Sequence, residues 1–162
     1  MDARQYERWT APLRRRPQLV KTVAAVNETI TRIGYIAYPV LLVWLALAQS
    51  PLLLRAILGP GIGFALVTLV RRAINEPRPY EALDIRPLMY KGTKGKSLPS
   101  RHAYSICAIA TAWAAWCAPV GIALLACSVA MGVVRVLGGI HYPHDVLAGM
   151  ACGLVAGGVL FL

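Results

Sequence analysis

The chain has 162 residues, 57% of them hydrophobic, with 17 Lys and Arg against 7 Asp and Glu. A mean hydropathy of +0.57 excludes an ordinary water-soluble domain, and the apolar residues fall in runs near the roughly 20 that cross a bilayer. The net charge of +10 does not point to nucleic acid, because the aromatics are not interleaved with the basic residues; anionic lipid headgroups or a phosphorylated substrate fit it better.

In chain order, residues 1–28 mix Tyr6, Trp9 and Leu13 with Arg4, Arg8, Arg14, Arg15, Arg16 and Lys21. This reads as a basic amphipathic segment of short interfacial helices, broken at Pro12 and Pro17. No apolar core segment lies in the first 25 residues, so no cleavable signal peptide is expected. Residues 30–162 read as an all-α membrane bundle of about five transmembrane helices, and the whole of 1–162 as a single integral-membrane domain.

The first span is expected over about 30–48 and the second over about 52–70. Gly59, Pro60, Gly61 and Gly63 on the second allow either a kink or a close helix approach. Residues 71–99 form the one long polar connection. A third span, about 100–118, leads through a tight turn at Pro119-Val120-Gly121 into a fourth, about 122–137. Gly138-Gly139 ends that helix, and Pro143 suits the first turn of a fifth. Gly149, Gly153 and Gly157 recur every four residues there, a small-residue face for tight packing. Cys107, Cys117, Cys127 and Cys152 lie in apolar runs without Cys-x-x-Cys spacing and read as packing residues.

With five spans, the N-terminus, the 71–99 connection and the 138–143 turn share one end of the bundle. That end gathers three polar clusters. Arg71 and Arg78 are seven apart, two helical turns and one face if the helix continues, and paired guanidiniums suit a phosphate. Ser100 is placed to cap the third span, whose free first-turn amides, next to Arg101 and His102, can hold an anion. Arg135 closes the fourth span, and His141 and Asp145 stand four apart across the start of the fifth. Asp145 can thus accept a hydrogen bond from one ring nitrogen of His141, leaving the other as an aimed nucleophile or base. A metal site with His102, His141, His144 and Asp145 as ligands is the competing reading; the surrounding arginines favour an anion instead.

The three clusters together resemble the signature of the type-2 phosphatidic acid phosphatase superfamily, the lipid phosphate phosphatases related in fold to vanadium haloperoxidases. Its pattern is KxxxxxxRP, then PSGH, then SRxxxxxHxxxD. Here Arg71 precedes Arg78-Pro79 at that spacing, Pro99-Ser100-Arg101-His102 follows, and Val134-Arg135 precedes His141 and Asp145. Arg71 stands for the family's lysine, Arg101 for its glycine and Val134 for the serine of its third motif.

The resemblance implies a metal-independent phosphatase in which His141 attacks phosphorus to form a phosphohistidine. Asp145 orients it, and His102 protonates the leaving group. Arg71, Arg78, Ser100, Arg101 and Arg135 would hold the phosphoryl oxygens. No metal and no other cofactor is then required, and His144 matches no motif position. The implied substrate is a lipid phosphate or diphosphate, such as phosphatidic acid, phosphatidylglycerol phosphate or undecaprenyl diphosphate, reached from the surrounding membrane lipids. The short connection leans toward a prenyl diphosphate or broad specificity. A non-catalytic lipid-phosphate binder or transporter and a metal-dependent membrane hydrolase are the competing functions.

The protein is expected in the cell membrane, multi-pass. Sixteen of the 17 Lys and Arg fall on the motif side, which by charge places the site in the cytoplasm. The resemblance implies the outer face. The sequence leaves the face, and the oligomeric state, open.

Overall fold

A computed structural model describes residues 1–162. Seven helices follow in order: α1 (Ala3–Arg14), α2 (Pro17–Leu47), α3 (Leu52–Ile74), α4 (Pro79–Ala82), α5 (Arg101–Trp116), α6 (Ala118–Leu137) and α7 (Pro143–Gly158), and a 3-10 turn at Val159–Phe161 closes the chain. Four helical stretches, containing α2, α3, α6 and α7, are long and apolar enough to cross a membrane. Their outer faces expose Ile36, Val43, Leu47, Leu54, Ile62 and Leu66. Apolar surface of this extent suits lipid as the solvent, since each helix satisfies its own backbone. The chain is a multi-pass membrane protein.

The expected third span is the short one. At 16 residues, α5 rises only about 24 Å. It needs no lipid-facing belt, because α2, α3, α6 and α7 all pack on it. Between Ala103 and Trp113 every residue except Ser105 is buried. The glycines of α7 make the closest of these contacts possible. A Cβ on Gly153 would lie 2.6 Å from the Tyr104 carbonyl oxygen and 2.9 Å from Cys107 Cβ, so only hydrogen fits between the two helices. The glycines of α3 likewise serve close approach: α3 runs unbroken through Pro60, whose carbonyl accepts the Tyr104 hydroxyl at 2.7 Å.

Three boundaries differ from those expected. Pro12 lies inside α1 near its end, and Pro17 opens a helix that continues into the first span, so residues 17–28 extend that span. Proline is well accommodated in a first turn, where its missing N–H has no partner to lose. For the same reason Pro119 sits in the first turn of α6 rather than in a loop, and Cys117 alone separates α5 from α6. Third, α3 stops at Ile74, where Asn75 takes a left-handed conformation (φ 48°), so Arg78 does not share a helical face with Arg71. Pro77 and Pro79 prevent the helix from continuing.

The three polar segments do meet at one end. Tyr6 on α1 is fully buried there; its hydroxyl donates to the Leu137 carbonyl at 2.9 Å and accepts from the Leu88 amide at 3.1 Å. The Met89 amide donates to the Gly138 carbonyl at 3.0 Å. Gly139 follows the α6 cap at φ +74°, a conformation that favours glycine and reverses the chain toward His141.

Candidate active site

Three guanidiniums are buried at this end, with Arg71 and Arg78 5% and Arg135 2% exposed. Each is held by neutral oxygen. Arg71 Nη1 donates to the carbonyls of Pro99 (2.6 Å) and Ser97 (3.4 Å). Arg78 donates through Nε to Gly95 O at 3.1 Å and through Nη1 to Ile140 O at 3.2 Å. Arg135 Nη1 donates to Asn27 Oδ1 at 3.2 Å. None of the three is ion-paired to a carboxylate. Buried cations without acidic partners are costly.

Two further buried groups lack a partner: Arg135 Nε and the Ser100 hydroxyl. Ser100 does occupy the N-cap of α5, but its side chain makes no capping bond, which corrects the expectation. Its amide is instead tied to the Asp145 carbonyl at 2.9 Å, joining the start of α5 to α7. The first-turn amides of α5 are therefore left without a side-chain acceptor. A helix N-terminus in that state favours an anion.

His141 lies in the turn between α6 and α7, its amide and that of Ile140 donating to the Arg135 carbonyl at 3.3 and 3.2 Å. Its Nδ1 is 3.2 Å from Asp145 Oδ2, the expected i, i+4 pair. The same oxygen accepts the Tyr142 amide at 2.9 Å and the Ser97 hydroxyl at 2.5 Å, and the Ser97 oxygen lies 3.3 Å from Nδ1. A carboxylate at this position places the proton on Nδ1 and leaves Nε2 with its lone pair free. Burial pushes the His141 imidazole below the ordinary histidine range, against the upward pull of Asp145. Burial thus favours the neutral ring. Asp145 itself sits in the first turn of α7, where the helix dipole favours negative charge.

Arg101 and His102 open α5 at the edge of this cluster. Both line a cleft of about 560 Å³ walled by Tyr35, Tyr38, Phe64, Ile106, Ile109 and Met131. Arg101 is exposed, with its guanidinium 5.8 Å above the Phe64 ring. It is the one arginine of the expected set that is exposed, whereas Arg71, Arg78 and Arg135 are buried. His102, in the first turn of α5, borders both the cluster and the cleft.

Two partners were not legible in the sequence. Ser97 lies 44 positions from His141 and 48 from Asp145, in a Lys/Gly-rich connection where a serine carries no signal. Its place is fixed by its own amide, which donates to the Glu76 carbonyl at 2.8 Å. Asn27 did carry one, a lone amide at the head of an apolar run, where polar groups are expensive. A fifth cation also borders the cluster: Lys91 is held down to about 8, by desolvation first and then by repulsion from Arg135, Arg78, Arg101 and Arg71.

Residues 52–162 match the PAP2 superfamily. A lipid A 1-phosphatase of Rhizobium etli is 35% identical over 92 residues, 54% of this chain and 40% of that protein. Another from Rhizobium johnstonii matches at 35% over 92 residues, 54% of this chain and 38% of that protein. The chain thus spans about two fifths of the curated relatives it matches. Among solved structures, Aquifex aeolicus LpxE superimposes with a TM-score of 0.78 at 22% identity, covering 99% of this chain and 94% of that one. The first transmembrane PAP2 type phosphatidylglycerolphosphate phosphatase from Bacillus subtilis gives 0.70 at 20% identity, covering 90% and 76%. At these identities the structures share the fold.

Proposed function

Because the chain belongs to the PAP2 superfamily, we propose that its arginine-lined end is the active site of a membrane phosphatase acting on a lipid phosphate or diphosphate. The observation that carries this reading is the set of three buried arginines without acidic partners, gathered around a histidine whose tautomer a carboxylate fixes. Neither a structural bundle nor a simple anchor needs both.

The geometry supports a phosphohistidine route. Arg71, Arg78, Arg135, the Ser100 hydroxyl and the α5 amides take the phosphoryl oxygens and offset the charge that develops in transfer. His141 Nε2 attacks phosphorus, forming an N–P bond as the bond to the leaving oxygen breaks. Asp145 stabilises the imidazolium that results. His102 gives its proton to the leaving oxygen; the bound phosphate's negative charge favours its protonated form. Water then cleaves the N–P bond, returning His141 and releasing inorganic phosphate. The apolar cleft, opening beside His102 between α2, α3 and α5, supports a lipid chain as the remainder of the substrate. Arg101, over Phe64 at its wall, is positioned for the headgroup side of such a lipid.

The test is inorganic phosphate release in detergent from lipid A 1-phosphate, undecaprenyl diphosphate, phosphatidic acid and phosphatidylglycerol phosphate, with and without chelator. Turnover that survives chelator and disappears in His141→Ala is expected. Undiminished release by that variant would remove His141 as nucleophile, loss with chelator would favour a metal-dependent hydrolase, and binding without release would favour a carrier.

A further inference from the structure

Asp145 has two faces. Oδ2 takes all of its side-chain hydrogen bonds, from His141, Ser97 and Tyr142. Oδ1 accepts none, although the residue has no exposed surface. A buried carboxylate oxygen left so is expensive. This one lies 3.2 Å from His144 Nε2, and that nitrogen lies 3.1 Å from Glu76 Oε1. The three ligand atoms all fall within 4.8 Å of one another. In a tetrahedral zinc site with bonds of about 2.0–2.1 Å, neighbouring ligand atoms are roughly 3.3 Å apart, close to the two edges seen here.

The ligands are also held in advance. Glu76 follows the left-handed Asn75, and its carbonyl accepts the Ser97 amide at 2.8 Å. The His144 ring stacks on Tyr142, 5.2 Å between centroids and 7° between planes. The His144 and Glu76 side chains are 56% and 25% exposed, which leaves the buried oxygen reachable from water through them.

We propose that Glu76, His144 and Asp145 Oδ1 form a site for a divalent transition-metal ion, and that its occupation inhibits the phosphatase site on the other face of the same carboxylate. One imidazole and two carboxylates suit zinc, with a water in the fourth position. The ion draws charge from the carboxylate that holds the His141 proton. The imidazolium formed in phosphoryl transfer is then less stabilised, and turnover falls. The metal here is not a participant in the reaction. The inhibitory half rests on the phosphatase reading above; the binding half does not.

Calorimetric titration of the chelator-treated protein in detergent with zinc alone separates the two. One equivalent is expected to bind, with affinity lowered more than about tenfold in His144→Ala and Glu76→Gln. Cobalt(II) added in place of zinc should give a tetrahedral absorption spectrum that both variants lose. In the phosphate-release assay zinc should lower the wild-type rate and leave His144→Ala, whose rate without zinc is preserved, unaffected. No binding, or equal binding by wild type and both variants, overturns the site, as does a wild type whose titration is explained by a protonated His144 pairing with the two carboxylates and no cobalt spectrum. Site-dependent binding with no effect on turnover overturns the inhibition. Protein that binds zinc as described but releases phosphate from no lipid overturns the proposed function and leaves the site standing.

Discussion

The two ends of the α5–α7 pair are built on opposite principles. Toward the C-terminus of α7, Gly153 lets the helix backbones meet with nothing larger than hydrogen between them. Beside its N-terminus, Arg71 of α3, Arg78 of the connection and Arg135 of α6 gather, each tied to a carbonyl or amide and none ion-paired to a carboxylate. The first region derives its stability from contact at short range. The second gathers three buried cations without acidic partners, at a cost in stability. Close packing dominates along the pair, and charge collects at its start.

Substitutions should separate along that line. The largest effect belongs to His141→Ala, expected to lower turnover by ~10⁴-fold or more with the folded yield kept, as measured by single-turnover phosphate release and size-exclusion profile. A variant that failed to fold instead would show the turn to be structural. At the other end, Gly153→Leu should cost about 3 kcal/mol of stability through overpacking against Tyr104 and Cys107, while the molecules that remain folded keep their rate. Thermal unfolding in detergent, paired with rate per folded molecule, reads both. Loss of rate with an unchanged midpoint would dissolve the division.

Arg135→Lys tests the charged end more finely. Lysine keeps the charge but not the fork, and loss of one charge-assisted contact of about 2 kcal/mol lowers kcat/KM by roughly 30-fold. The smallest change is at Ser97. Ser97→Ala removes one donor from Asp145 Oδ2 and is expected to lower kcat by about tenfold with little change in KM, whereas Ser97→Thr restores it. A parallel rise in KM would make Ser97 a substrate contact rather than a positioning residue.

Much of the site was legible because much of it is local. His141 and Asp145 meet through an i, i+4 spacing that needs only the start of a helix. The even number of expected spans between the polar segments required them to share an end, and the Tyr6, Met89 and Arg78 bonds across that end bear it out. What failed were inferences that extended a helix past its stop. Arg71 and Arg78 do not share a face, because a left-handed Asn75 and Pro77 intervene. Ser100 does not cap with its hydroxyl, because the start of α5 is already tied by the Ser100 amide to α7.

By itself, then, the sequence determined the apolar spans, their common polar end, the glycine face and the His141–Asp145 pair, all consequences of hydropathy and helical period. The packed bundle alone decided that Ser97 and Asn27 join the buried cluster across 48 and 108 positions, and that Arg101 lies over Phe64. It alone gave Asp145 a second, unbonded oxygen facing His144 and Glu76. Periodicity fixes which residues share a helix face; which faces meet depends on how closely backbones approach, and no local pattern encodes that distance.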